Sequence, residues 1–177
     1  MEVRKMLNNN VANLLNDQIN KEMYSAYLYL DFANFYTAKG LDGFANWYRI
    51  QAKEEMDHAI GILNYLQDND YVVTLSAIAK PDKELKNLED PLKFALEHEQ
   101  YVTELIHHIY HEAHQLHDYR TMKFLDWYVE EQGEEEKNAN DLLTKFSLFG
   151  HDPKALYQLN SELATRTYTT ASILASE

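Results

Sequence analysis

A chain of 177 residues, 45% of them hydrophobic, is long enough to bury one core of ordinary domain size. Its 29 Asp and Glu against 16 Lys and Arg give a formal charge of −13, which repels nucleic acid and anionic membranes and attracts cations. The lack of cysteine excludes disulfides, iron–sulfur clusters and thiolate-held zinc or iron, so any metal must be held by oxygen or imidazole.

Met1-Glu2-Val3-Arg4-Lys5 runs into an asparagine-rich stretch without the apolar core of a secretory signal, and no later apolar run reaches membrane-spanning length. A cytoplasmic location and no membrane partner are therefore expected. Gly and Pro are scarce, five and three, and Gly40, Gly150 and the prolines mark the breaks that divide the chain into helices. The first helix is expected from about Lys5 to Ala38, closed by Gly40 at C′; the second starts with Asp42 as N-cap and reaches about Asp68. Residues 69–89 lack a helical period and include the strand-like Tyr71-Val72-Val73-Thr74-Leu75. A connection of that length can run the height of a bundle, so that the second and third helices lie parallel. Asp90 and Pro91 supply an N-cap and an N1 proline for a third helix, expected over 91–117. Asp118 would cap a fourth over 119–149, with a single bent helix as the alternative. Asp152-Pro153 opens a short fifth helix over 153–165, and the Thr-, Ser- and Ala-rich last dozen residues read as a frayed tail.

Each long helix has an apolar stripe interrupted near its middle by a ligand-type residue. The first reads Val11, Leu15, Glu22, Ala26, Tyr29, Ala33, and the second Phe44, Tyr48, Ala52, Glu55, Ala59, Ile62, Leu66. The third reads Leu92, Ala95, Glu99, Val102, Ile106, Ala113, and the fourth Phe124, Tyr128, Gln132, Glu135, Ala139, Leu142, Phe146. The spacing repeats between the halves: Glu22 stands 33 residues before Glu55-Met56-Asp57-His58, and Glu99 stands 33 before Gln132-Gly133-Glu134-Glu135. A carboxylate on one helix, followed on the next by ligand-type side chains at i and i+3, gives groups that converge. One inward acid is explained equally well by a bond to a tyrosine hydroxyl. Four repel one another in a dry core unless protons or a multivalent cation offset the charge, and a pair of iron ions suits the cluster.

Four segments carry a resemblance over nearly the whole chain. These are Asn16-Asp17-Gln18-Ile19-Asn20-Lys21-Glu22-Met23-Tyr24-Ser25, Glu54-Glu55-Met56-Asp57-His58, His98-Glu99-Gln100, and Phe124 to Gln132 with Gly133-Glu134-Glu135-Glu136-Lys137. The chain resembles bacterial non-haem ferritins. The resemblance implies an all-α, ferritin-like four-helix bundle with one long crossover and a short fifth C-terminal helix, a single domain over 1–177, assembled as a homo-oligomeric cage of 24 copies. It also implies an iron store with ferroxidase activity, in which dioxygen oxidises Fe(II) at a di-iron centre inside each subunit and ferric mineral collects within the shell. By resemblance, Glu22, Glu55 and His58 would hold one iron and Glu99 and Glu135 the second, with Glu55 bridging. Gln132 would lie beside the oxygen-binding position, and Tyr29, seven residues beyond Glu22, near the iron pair. Glu54, Glu131 and Glu134 would help hold a third iron toward the cavity, sharing Glu135; alone they read as a solvated acidic face. Carboxylate oxygens are hard donors that favour ferric over ferrous iron, which eases oxidation.

Met56 sits where the similar bacterioferritins use a methionine to hold haem between subunits, which makes haem the runner-up cofactor. Bacterioferritins carry a second Glu-x-x-His on the fourth helix, however, where this chain reads Gln132-Gly133-Glu134-Glu135. Haem is therefore not expected, and Met56 reads as a packing or surface residue. Another di-iron oxidase would share the spacing but not the fifth helix after Gly150-His151-Asp152-Pro153. His98, His107, His108, His111, His114 and His117 cluster near the third helix, and the stripe of His107, His111 and His114 lies off its core face, in a solvated or intersubunit position.

Overall fold

The computed structural model describes residues 7–175, so Lys5 and the tail residues Ser176 and Glu177 lie outside the described residues; the first helix, expected from about Lys5, starts at Asn9, because the Asn8 side chain accepts the Asn10 amide and caps it there. Four long helices, α1 (Asn9–Ala38), α2 (Asp42–Asp68), α3 (Asp90–Gln115) and α4 (Tyr119–Phe149), form the bundle, with α5 (Pro153–Leu163) and a short 3₁₀ turn (Ser172–Leu174) after it. No strand occurs among the described residues. Helix α1 packs on α2 through Tyr29–Tyr48 and Tyr36–Phe44, and on α3 through Ser25–His98 and Asn10–Glu112. Both pairings run antiparallel, so α2 and α3 are parallel to each other, as the long crossover requires. Helix α4 closes the square against α2 through Gln51–Glu135 and Tyr65–Thr121. No helix among the described residues is long and apolar enough to cross a membrane.

At the caps, the helix ends follow local chemistry with two corrections. Gly40 at φ +73° lets the Gly40 and Leu41 amides donate back to Thr37 and Tyr36, ending α1 in the expected way. Asp42, expected as the N-cap of α2, is instead its first residue, and Leu41 at the cap position offers no side-chain bond. The cap comes from α5, where Asn160 Oδ1 accepts the Gly43 and Phe44 amides at 2.8 and 3.2 Å. A Cβ on Gly43 would stand 1.7 Å from the Asn160 carbonyl oxygen, so only glycine permits this approach. Asp90 likewise lies inside α3 and caps backward, accepting the Lys86 and Asn87 amides. The bent-helix alternative fails at His117, whose φ of +52° breaks the chain before Asp118 caps α4 through Thr121 N.

The crossover is no strand. Asn16 of α1 exchanges two hydrogen bonds of 2.9 Å with the backbone of Thr74, Tyr71 donates to Asn13, and Tyr36 donates to Leu88 O. The segment follows α1 because side-chain amides of that helix replace a ladder partner.

The described part of the expected frayed tail is docked. Arg166 stacks over Trp47 and pairs with Glu54 at 2.7 Å; Tyr168 OH and Ala171 N both donate to Asp57 Oδ2; and Trp127 Nε1 donates to Ser172 Oγ. Side-chain hydrogen bonds hold it together with Ile173, which packs against the core, and hydrophobic patterning does not reveal the hydrogen bonds.

The core splits into two apolar clusters. One gathers Tyr29, Phe32, Tyr36, Phe44, Tyr48 and Phe146, and the other Leu15, Ile19, Ile62, Leu66, Ile106 and Leu125. Between them lie the inward acids.

Candidate metal centre

Each bundle helix delivers its interrupting residue to the same place. Glu22 comes from α1, Glu55 and His58 from successive turns of α2, Glu99 from α3, and Gln132 and Glu135 from α4; all six are between 1 and 4% exposed. Tyr29 is buried beside them at 1%. Every other residue of the four expected stripes is buried too, except Phe124 and Ala139, which are partly so.

Amides and a phenol satisfy part of this cluster. Gln18 Nε2 donates to Glu22 Oε1 at 2.8 Å, and Gln51 Nε2 donates to Glu135 Oε2 at 2.7 Å. Glu99 accepts from the Tyr29 hydroxyl on one oxygen and from Gln132 Nε2, at 3.1 Å, on the other. The His58 imidazole bridges two acids at ionic range, with Nδ1 3.5 Å from Glu55 Oε2 and Nε2 3.7 Å from Glu131 Oε1. Glu22 Oε2, Glu55 Oε1 and His58 Nε2 remain buried without a hydrogen-bond partner. Each such atom costs on the order of 1–3 kcal/mol, so three together in a protein core are the signature of a site that takes a ligand.

Glu22, Glu55 and His58 offer ligand atoms that all lie within 4.8 Å of one another, and so do His58, Glu131 and Glu135. Oxygen and imidazole donors of this kind fit iron in either oxidation state. The second triple is a grouping that spacing alone does not disclose: Glu131 leans toward the imidazole, and Glu135 joins it as well as facing Glu99.

Burial raises every acid of the cluster. Glu22 is raised by desolvation against the pull of His58 and Gln18; Glu55 rises well above the carboxylate range by desolvation and the charge of Glu99. Glu99 is pushed to about 7 by desolvation despite its bonds to Tyr29 and Gln132, and Glu135 to about 8 by desolvation and Glu99. For His58 burial opposes the charge, but Glu131, Glu55 and Glu22 outweigh it and lift the imidazole well above its usual value. The cluster therefore holds protons that a bound divalent cation would displace.

The acidic trio is not one group in this state. Glu54 is paired with Arg166, Glu131 is half-buried against His58, and Glu134 is exposed on α4. Met56 is 39% exposed and outside the buried cluster. His107, His108, His111, His114 and His117 are exposed, and His107, His111 and His114 line a surface groove against Asp126 and Glu130 of α4.

A family model for the ferritin-like domain matches residues 12–149. The chain belongs to the ferritin family. It is 39% identical over 152 residues to a bacterial non-heme ferritin of Campylobacter jejuni, covering 86% of this chain and 91% of that one. It is 35% identical over 163 residues to a bacterial non-heme ferritin of Staphylococcus aureus, covering 92% and 98%. An open pore ferritin from the archaeon Archaeoglobus fulgidus superposes with a TM-score of 0.89 at 39% identity, covering 92% of this chain and 99% of that one.

Within this ferritin-family chain, three supporting residues escape the sequence reading. Gln18 and Gln51 each stand four residues before a cluster acid, Glu22 and Glu55, so a buried amide one turn ahead of each acid is the signal that could have found them. Gln51 nonetheless serves Glu135 across the bundle. Ser25 Oγ lies 2.7 Å from His98 Nε2, and this imidazole is held down to about 4 by burial and then by Lys83 and Lys21. Its place three residues after Ala95 and four before Val102 is the signal that separates it from the exposed histidines of α3.

Proposed function

We propose that this chain binds Fe(II) in the buried cluster, oxidises it with dioxygen and stores the ferric product inside a closed cage of 24 copies. The observation that carries the reading is the set of buried, unpartnered donor atoms of Glu22, Glu55 and His58 between two apolar clusters. The names of the relatives, non-heme ferritins, and the close fit to an archaeal ferritin support iron as the substrate without haem.

Glu22, Glu55 and His58 would hold the first ferrous ion and Glu99 and Glu135 the second, with Glu55 between them. Two ferrous ions give one electron each to dioxygen, and hard carboxylate oxygens stabilise the ferric product. The residues around them do the rest. Gln18 and Gln51 fix the orientation of Glu22 and Glu135, Tyr29 and Gln132 fix Glu99, and the apolar clusters exclude bulk water. The protons held by the metal-free acids leave as iron enters. Glu54, Glu131 and Glu134 would then take ferric product toward the interior, which requires Glu54 to leave Arg166.

Gel filtration followed by ferrous iron in air tests this reading. A shell of several hundred kilodaltons that oxidises iron much faster than buffer is expected. A stable monomer or dimer overturns the cage, and oxidation at the buffer rate overturns the ferroxidase.

A further inference from the structure

Helix α1, helix α3 and the crossover enclose a pocket of about 520 Å³ on the face of the bundle opposite α2 and α4. That volume falls in the range of roughly 300–1,000 Å³ common to small-molecule sites. Lys21, Lys80 and Lys83 line it. In a chain of net charge −13, none of the three has an ion-pair partner among the described residues, although Asp82 and Glu97 also border the pocket. Tyr24, Phe94 and the 43% exposed Tyr101 supply flat aromatic walls, and Lys83 Nζ sits 5.1 Å from the centre of the Phe94 ring. Unpaired ammonium groups beside aromatic faces fit a planar ring with an anionic tail.

The inner wall leads to the acids. The His98 ring centre lies 5.8 Å from that of Tyr24, 6.2 Å from that of Tyr101 and 6.1 Å from that of Tyr29, and the Tyr29 hydroxyl donates to Glu99. Ser25 holds the His98 imidazole in this position. Contacting rings therefore run from the pocket to the cluster, which gives a redox-active ligand a purpose there that a redox-inert one lacks.

We propose that the pocket binds a reduced flavin nucleotide, with its phosphate on the lysines and its ring against the tyrosines, and that electrons for iron release enter the protein there. The reduced isoalloxazine gives up two electrons and two protons to become oxidised flavin; the electrons convert two Fe(III) to two Fe(II), and the protons pass to solvent. The electron-transfer half rests on the iron reading above, whereas the binding half does not.

Flavin mononucleotide is the probe, titrated into the assembled protein at low salt while its fluorescence is followed. Saturable quenching at one flavin per chain is expected, weakened about tenfold or more by Lys21→Gln/Lys80→Gln/Lys83→Gln and equally weaker for riboflavin, which lacks the phosphate. No saturation, an unchanged triple variant, or displacement by equimolar inorganic phosphate overturns the site. Iron-loaded protein is then reduced anaerobically by limiting reduced flavin with a ferrous chelator present. The triple variant should release iron about tenfold more slowly while dithionite releases it equally from both proteins. His98→Leu, which alters the pocket wall as well as the ring path, should slow flavin-driven release by more than the loss of flavin binding measured for the same variant. Equal flavin-driven release from wild type and the triple variant overturns the pocket's role in reduction, and equal release from His98→Leu overturns the ring path. Flavin binding by a protein that never oxidises iron would sink the iron reading alone; rapid iron oxidation without flavin binding would sink the pocket alone.

Discussion

Both oxygens of Glu99 are already hydrogen-bonded, by Tyr29 and Gln132, whereas Glu22 and Glu55 each keep one oxygen without a partner, next to the imidazole of His58. The two proposed iron positions are therefore unequal. The one formed by Glu22, Glu55 and His58 has free donors and a nitrogen ligand, while the one formed by Glu99 and Glu135 must first give up hydrogen bonds. Partial loading should fill the His58 side first, and a crystallographic titration showing equal occupancy at every load would contradict this. His58→Ala should slow the fast oxidation by about 10- to 100-fold while the cage still assembles, because one ligand is lost and no helix face is. Unchanged oxidation kinetics in that variant would remove His58 from the site.

At the scale of elements, the four bundle helices and their inward acids are legible because a single periodicity carries them: Glu22, Glu55, Glu99 and Glu135 each fall in register with apolar neighbours. The ends and connections are not, because their partners are distant in sequence. Asp42 looks like a cap, but Asn160, more than a hundred residues away, is the group that accepts the Gly43 amide. Asn160→Ala should lower stability by about 1 kcal/mol, the usual cost of a lost N-cap, measured as a shift in the thermal midpoint. A variant as stable as the parent would mean that water caps α2 equally well. The tail was illegible for the same reason, since the acceptors that dock it, Glu54 and Asp57, lie on α2. Arg166→Gln should free the Glu54 carboxylate and speed the later turnovers of iron oxidation, leaving the first fast phase unaltered. If later turnovers stay at the wild-type rate, Glu54 has no part in moving iron.

At the scale of the whole molecule, the buried acids link stability to pH. Folding holds Glu99 up to about 7 and Glu135 up to about 8, against an ordinary 4.5, so between those values the folded chain binds protons that the unfolded chain has released. Stability of the metal-free protein must then fall as pH rises. His98, held down to about 4, acts in the opposite sense only below about 6.5, while the raised His58 adds to the fall. From pH 6.5 to 8 the slope should be about −1 to −2 kcal/mol per pH unit, seen as a declining thermal midpoint. A divalent cation should flatten it by taking the place of the protons. A midpoint that rises over this range would mean that the acids are ionised without metal.

The most direct measurement is the number of ferrous ions oxidised per chain in the first fast phase, followed by stopped-flow absorbance as Fe(II) is added stepwise to the assembled, metal-free protein in air. Fast oxidation should increase linearly and break at two Fe(II) per chain, the capacity of one cluster built from Glu22, Glu55, His58, Glu99 and Glu135. A break at one per chain, or no phase faster than oxidation in buffer, would contradict a paired iron site in the bundle core.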